Sequence, residues 1–347
     1  MAEALISRLG ELAIKAETTK GTKNAPAVDG TESLFRVYDL DWTLEPRMFE
    51  RRTAAKTLSR YAHLVGQQVG VITGKVELRQ SAVTDGVGAE DAWYLLLKAA
   101  GLAVATGGSA NTVTFTSDQS AHTTLTAFCW IGSNGASGAI RRGIRGAVAR
   151  ACKLDCKVGE PSILSFELVG AYDSADAVAP VLGEISDTLN TIAHEDAIPG
   201  VFNAISNVQL DDSNADLFLS SFSVDFGPQA VERQSAAATN GIAHYVVADR
   251  DVTIELDPEV AQPSAAYWAG KLSAGTEVKL ELTHTQPATS SPSHGAATFA
   301  FVFPKCQVQS TKRADRNGIE TLGVTLKPDL SAEPGDDEMT LTITKAS

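Results

Sequence analysis

Apolar and polar residues alternate with a period of two over several short runs of this chain, and the two clearest runs flank a long polar gap. Leu40, Trp42 and Leu44 alternate with Asp39, Asp41, Thr43 and Glu45; further on, Ile72, Val76 and Leu78 alternate with Thr73, Lys75, Glu77 and Arg79. That period predicts two strands, each with one buried and one solvated face. Between them, residues 46–66 are too many for a hairpin turn and carry Arg47, Arg51, Arg52, Lys56 and Arg60 against the single acid Glu50. Ordering backbone costs about 1–2 kcal/mol per residue, so a compact domain seldom keeps such a loop unless something outside the chain orders it.

Residues 89–100 predict a helix, with Trp93, Leu96, Leu97 and Ala100 on one face and Gly101 as its stop. Strands are expected over residues 112–116, 123–131, 140–154 and 162–171. Residues 171–216 then change character: Asp173, Asp176, Glu184, Asp187, Glu195, Asp196, Asp211, Asp212 and Asp216 occur with no Lys or Arg. A helix from Ser174 through Leu189 fits the start of this stretch, although Pro180 and Gly183 oppose it. Strands resume over 217–226, at Val252, Ile254 and Leu256, at Val278, Leu280 and Leu282, over 297–303, and at Met339, Leu341 and Ile343. A short helical piece over 265–271 carries Trp268. The chain therefore reads as mainly β, with its last strand tied into a sheet.

At 347 residues the chain has room for two domains or for one large all-β domain with additions. Hydrophobic residues at 44 %, aromatics at 6 % and charged residues at 20 % are a soluble globular composition. The net charge of -13 excludes a general nucleic-acid binder, whose affinity comes from neutralising phosphates, but not a protein that keeps nucleic acid close and repels it. Glu3 and Arg8 break the first ten residues, so no secretory signal is expected, and no run approaches the roughly 20 apolar residues of a membrane span. The expected setting is a cytosol.

Cys129, Cys152, Cys156 and Cys306 are too few and too scattered for a disulfide framework. Cys152 and Cys156 invite a metal reading, but four residues along a strand separate them by roughly 13 Å, so structural thiols are expected. Catalytic patterns are weak. Gly86-Val87-Gly88 is followed by Asp91 where a dinucleotide loop needs its third glycine, and no βαβ order surrounds it. Gly132, Gly135 and Gly138 lack the Lys and Ser/Thr of a phosphate loop, and no G-x-S-x-G elbow occurs. His194-Glu195-Asp196 are adjacent and cannot all face one ion in regular structure; the other histidines are scattered. The chain reads as a non-enzyme with no cofactor and no metal.

The order of the pieces resembles the tail tube, or major tail, proteins of long-tailed bacteriophages. The resemblance opens on Leu12 to Thr22, with Lys15, Glu17, Thr19, Gly21 and Thr22, followed by Pro26. It continues through the stretch from Gly70 to Arg79, the helix with its aromatic and leucines, and a middle hairpin from Gly146 to Tyr172 that includes Gly159-Glu160-Pro161. It closes on Asp249-Arg250-Asp251, Asp257-Pro258-Glu259, Ala274-Gly275-Thr276, Arg316-Asn317-Gly318-Ile319 and Asp336-Asp337-Glu338-Met339. The acidic stretch departs from the pattern, where a Pro-rich connection is expected.

The resemblance implies a tail-tube-type β-sandwich or barrel with one flanking helix, a long inter-strand loop and terminal arms. It implies homohexameric rings stacked into a tube for genome ejection, in a virion tail whose parts are made in the host bacterial cytoplasm. Residues 1–32 would be an N-terminal arm and 33–347 the tube domain, with 46–68 as an inter-ring loop and 171–216 as an acidic connection. Partners would be further copies of the chain and the terminator, tape measure and distal tail proteins; DNA would pass without specific binding, and no membrane is involved. A tail terminator or a baseplate hub of the same fold is the near alternative, and a lectin- or adhesin-like binding module the more distant one.

Two charge features have two readings each. The acidity suits a lumen that repels DNA, and equally suits mere solubility. The basic loop is either a solvated charged loop or an inter-ring contact. The resemblance favours the second, with Arg47, Arg51, Arg52, Lys56, Arg60 and Tyr61 as contact candidates. A second basic run, Arg141, Arg142, Arg145, Arg150, Lys153 and Lys157, fits strand alternation or a further interface.

Overall fold

The structure, a computed structural model, describes residues 5–26, 34–35, 37–51, 62–78, 92–105, 112–117, 122–133, 139–172, 185–187, 205–211, 213–214, 217–238, 241–260, 264–286, 289–290, 293–294, 297–331 and 337–345. In chain order the first elements are β1 (Leu5–Ala16), β2 (Leu34–Phe35), β3 (Tyr38–Phe49), β4 (Leu64–Glu77), α1 (Ala92–Ala99), β5 (Leu102–Ala105), β6 (Thr112–Ser117), β7 (Leu125–Ser133), β8 (Ala139–Lys157), β9 (Ile163–Tyr172) and β10 (Ile185–Asp187). The rest are β11 (Ile205–Leu210), β12 (Ser213–Asn214), β13 (Ser221–Asp225), β14 (Pro228–Gln234), β15 (Ile242–Arg250), β16 (Thr253–Leu256), α2 (Ser264–Ala274), β17 (Val278–Gln286), β18 (Thr289–Ser290), β19 (Ser293–His294), β20 (Ala297–Arg316), β21 (Ile319–Pro328) and β22 (Thr340–Lys345).

The fold is mainly β, as the alternation predicts, and every strand pair is antiparallel. Two long strands organise it. β8 pairs with β7 over its first half and with β13 over its last residues on one edge, while β9 and β10 take the other edge. β20 has β17 on one edge of its first half, with β22 and then β21 on the other. Both long strands carry register shifts, between Arg145 and Ala151 in β8 and between Val308 and Ser310 in β20. Such bulges bend and twist a strand, which lets one sheet fold over itself. The folded faces enclose one core in which Phe115, Phe222, Phe299, Phe301, Phe303 and Trp268 are fully buried. α1 lies in that core with Leu95, Leu96 and Ala99 all inaccessible, so it is apolar on more than the one face its spacing indicated.

The hairpin β14–β15 covers the opposite face of β4, β8 and β9. Ile242, Tyr245 and Val247 pack there against Val69, Val71, Val148, Val169 and Ala171. The stretches this hairpin covers, 69–72 of β4 and 168–171 of β9, are buried on both sides and do not alternate, whereas β4 beyond them does. The N-terminal segment read as an arm supplies β1, which pairs along β7 and buries Leu12, Ala13 and Ile14 completely. The helix expected from Ser174 through Leu189 does not extend over Ile185–Asp187, which is β10 paired with β8; residues 173–184 and 188–189 lie outside the described residues. β13 occupies only Ser221–Asp225 of the strand expected from 217.

Candidate assembly surfaces

The loop expected over 46–66 is shorter than it reads. Pro46 to Phe49 continue β3, and Leu64 to Gly66 open β4. Proline is tolerated there because β3 has no strand on its other edge among the described residues, so a missing N–H breaks no ladder bond. Met48 lies opposite Val65, and Phe49 opposite Leu64. Neighbouring residues of a strand face opposite ways, so this stem is apolar on both faces. Its four side chains are exposed at 56 % (Met48), 53 % (Val65), 58 % (Phe49) and 56 % (Leu64).

Of the basic candidates, Arg47 is engaged within the chain. Its Nη1 donates to Gln67 Oε1 at 2.5 Å and its Nη2 to Glu232 Oε2 at 2.7 Å, tying the β3–β4 stem to the β14–β15 hairpin. Glu232, far away in sequence, thus shares its charge, and the Arg47 side chain remains 47 % exposed. Arg51 is exposed at the end of β3, and Arg52, Lys56, Arg60 and Tyr61 lie outside the described residues. The second basic run is also largely used internally. Arg145 donates to Gly21 O at 2.6 Å, Arg141 lies over the Phe128 ring, Lys153 pairs with Asp155 and Glu255, and Lys157 pairs with Glu160. Arg150 pairs with Glu45 and Glu167; partial burial lowers its pKa, but the two carboxylates outweigh that and raise it.

The residues that carry the resemblance converge in pairs inside the chain. Glu17 is buried, and its carboxylate accepts four hydrogen bonds, from the Gly21 and Gly146 amides (2.7 Å each), Thr124 Oγ1 (2.7 Å) and Thr126 Oγ1 (2.9 Å). Gly21 has φ of 76°, and a Cβ there would stand 2.2 Å from the Ala243 carbonyl oxygen. Asp257 accepts from the Ser220 and Ser221 amides, while Arg316 reaches both Asp257 and Glu259. Arg250 donates to Gly101 O at 2.6 Å and pairs with Glu338 at 3.0 Å, and Lys327 reaches Asp251 Oδ2 at 2.6 Å. Gly275, with φ of 62°, ends α2 as Thr276 N–H reaches back to Lys271 O. Asn317 and Gly318, both at positive φ, form the two-residue turn between β20 and β21. These motifs are fasteners that hold the monomer together. Most of these residues stand in the motifs of the resemblance, whereas Thr124 and Thr126, which hold Glu17, and Glu232, which holds Arg47, stand in none.

All four cysteines are free and buried. Burial pushes the thiols of Cys129, Cys156 and Cys306 up to about 12, and that of Cys152 further still. A groove of about 630 Å³ crosses the solvent face of β8, β13, β16 and β21, lined by Lys153, Asp155, Ser223, Glu255 and Thr325 among others. Among the described residues no three His, Cys, Asp or Glu side chains gather to hold a metal ion, and His194-Glu195-Asp196 lie outside them. No helix is long and apolar enough to cross a membrane, again among the described residues.

The fold is thus mainly β, with a β3–β4 hairpin that exposes apolar side chains and, among the described residues, an unpaired outer edge of β3, features of a subunit that docks onto other protein surfaces. The chain belongs to the phage tail tube protein family, whose model matches residues 7–344, nearly its whole length. No curated protein matches it. Membership makes the chain a structural component of a virion tail that assembles with itself and with other tail proteins.

Proposed function

We propose that this chain is the repeating subunit of a tail tube: copies close into rings with six positions, the rings stack, and the lumen conducts the genome during delivery. Terminator, tape measure and distal tail proteins would cap, fill and anchor the tube, and subunits would be made in the host bacterial cytoplasm. The observation that carries the stacking is the β3–β4 stem. Four large apolar side chains more than half exposed on both faces of one ribbon are a poor ending for a lone chain. Each gives about 1.5–3 kcal/mol when fully buried, so a stem inserted between neighbours gains several kcal/mol even when partly covered. Arg51, with Arg52, Lys56, Arg60 and Tyr61 beyond it, would fix the register of that contact. The net charge of -13 favours a lumen that repels the duplex and lets it slide.

Sedimentation of the wild type and of a Phe49→Glu, Leu64→Glu double variant tests this. Wild type should pass from monomer to rings and tubes as concentration rises, and the variant, with unchanged circular dichroism and unfolding midpoint, should stop short of tubes. Tubes formed equally by both would remove the hairpin from the stacking contact.

A further inference from the structure

The strand neighbours of the first half of the chain recur, in the same order, in the second. β1 pairs β2 and β7; β11 pairs β12 and β17. β7 pairs β8, β8 pairs β9, β9 pairs β4 and β4 pairs β3; likewise β17 pairs β20, β20 pairs β21, β21 pairs β16 and β16 pairs β13. A short strand, β10 or β22, then returns to the open edge at the start of the long strand, β8 or β20. The long strands match in length at 19 and 20 residues, and the strands after them at 10 each. A helix follows β4 in one half and β16 in the other. Each helix carries an adjacent aromatic pair, Trp93-Tyr94 or Tyr267-Trp268, packed edge to face, and each is followed by a glycine at positive φ, Gly101 or Gly275. So many shared neighbour relations in one order are the mark of an internal repeat rather than of generic β packing.

The two halves meet at a defined seam. The last five residues of β8, Lys153–Lys157, pair with β13, and this closes the row β3–β4–β9–β8 onto the row β13–β16–β21–β20. The equivalents of that seam are unfilled. Among the described residues no strand lies along the edge of β20 opposite β21 beyond Cys306, nor along the edge of β3 opposite β4. Burial follows the same division. Phe222 and Val224 of β13, whose edge is paired, are 2 % and 0 % exposed, whereas the apolar residues Leu40, Trp42 and Leu44 of β3 are only half-buried. Charge follows it too. At the filled seam Lys153, Asp155 and Lys157 alternate along one face of the long strand, and Lys153 stands opposite Asp225. At the unfilled one Lys312 lies on the same solvent face as Lys153, while Arg313 and Arg316 pair with Glu320, Asp257 and Glu259; β3 presents Asp39, Asp41 and Glu45, of which Asp39 also pairs with Lys75 and Glu45 with Arg150.

We propose that the chain is two tube units fused in tandem, that its internal β8–β13 seam is the pattern for the seam between copies, and that β20 of one copy pairs antiparallel with β3 of the next. Resting on the tube reading with its six positions per ring, this means that three chains close each ring. A head-to-tail contact of this kind generates a ring when its rotation closes, and closure removes the exposed strand edges. The two units differ in their hairpins. The second folds back at Gly227, with φ of 51°, onto the first unit, while the β3–β4 stem leaves its apolar side chains exposed. Three projecting hairpins per ring, rather than six, would therefore carry the stacking.

Electron cryomicroscopy of assembled tubes counts the chains per ring, and a charge swap tests the seam. Three chains per ring are expected, with β20 beside β3 of the neighbour. Lys312 and Asp41 lie on the solvent face of their strands, so Lys312→Glu should leave a folded monomer whose threshold concentration for ring formation rises at least tenfold, and adding Asp41→Lys should restore most of it. Six chains per ring, or rings closed normally by Lys312→Glu, would overturn the proposal and leave the tube reading standing. A wild-type chain that forms neither rings nor tubes under any condition would remove both.

Discussion

Replacing Glu17 by Ala removes the acceptor of four hydrogen bonds at once. Two come from the Gly21 and Gly146 amides at 2.7 Å, and two from the Thr124 and Thr126 hydroxyls. The hydroxyls can turn to other partners, but the amides are fixed by backbone. Gly21 and Gly146, both at positive φ, stand close against Ala243 and His244, where even a Cβ would clash. An unsatisfied buried donor costs about 1–3 kcal/mol, and hydrogen bonds to a charged group about 1.5–3 kcal/mol each, with little additivity within one site. The expected loss is about 3–5 kcal/mol for Glu17→Ala. Glu17→Gln should lose nearly as much, because its NH2 group would meet a donor. Urea unfolding of the monomer measures this, and hydrogen exchange at Gly21 and Gly146 localises it. A loss below about 1 kcal/mol, or unchanged protection at Gly146, would refute the view that this carboxylate fastens β1 to β7 and β8.

Arg250→Ala and Glu338→Ala should each cost about 2–4 kcal/mol, with a double-mutant coupling above about 1 kcal/mol, because the pair is only 10 % and 18 % exposed; additive losses in urea unfolding would contradict this. Gly21→Ala should destabilise by more than about 1 kcal/mol, since alanine is strained at positive φ and its methyl would meet the Ala243 carbonyl; an unshifted unfolding midpoint would contradict it. The cysteines should resist iodoacetamide at pH 8 in the folded chain, as read by intact mass, because burial keeps them protonated. Their raised values also set a pH dependence. Above the ordinary thiol value of 9.0 the unfolded chain loses thiol protons that the folded chain retains up to about 12, so stability should fall as pH rises across that window, less steeply in a variant with the four cysteines changed to Ala.

What the sequence disclosed depended on which faces the strands bury. β3, β16 and β22 alternate cleanly because one face is solvated, so Leu40, Trp42, Ile254 and Leu341 marked them directly. Val169, Gly170 and Ala171 lost the alternation because the β14–β15 hairpin covers their second face, a contact made by residues some seventy positions further along. Pro46 read as the end of a strand, yet on an unpaired edge it ends nothing. The repeat was invisible for a similar reason. Its two halves share strand neighbours and an aromatic pair in each helix but differ in their inserts, with β5 and β6 in one and the folded-back β14–β15 hairpin in the other. The candidate site divided the same way: the basic charges of the loop are legible locally, whereas the apolar stem of Met48, Phe49, Leu64 and Val65 emerges only from the pairing of β3 with β4, and the contact of Arg47 with Glu232 depends on a long-range approach that no local pattern announces.

The tube reading is tested most directly by negative-stain electron microscopy of the purified full-length chain over a range of concentrations. The account predicts rings at intermediate concentration and tubes of one uniform diameter at high concentration, without any other tail protein beyond a nucleating tip complex. Compact single particles at every concentration, with or without added tail tips, would contradict it.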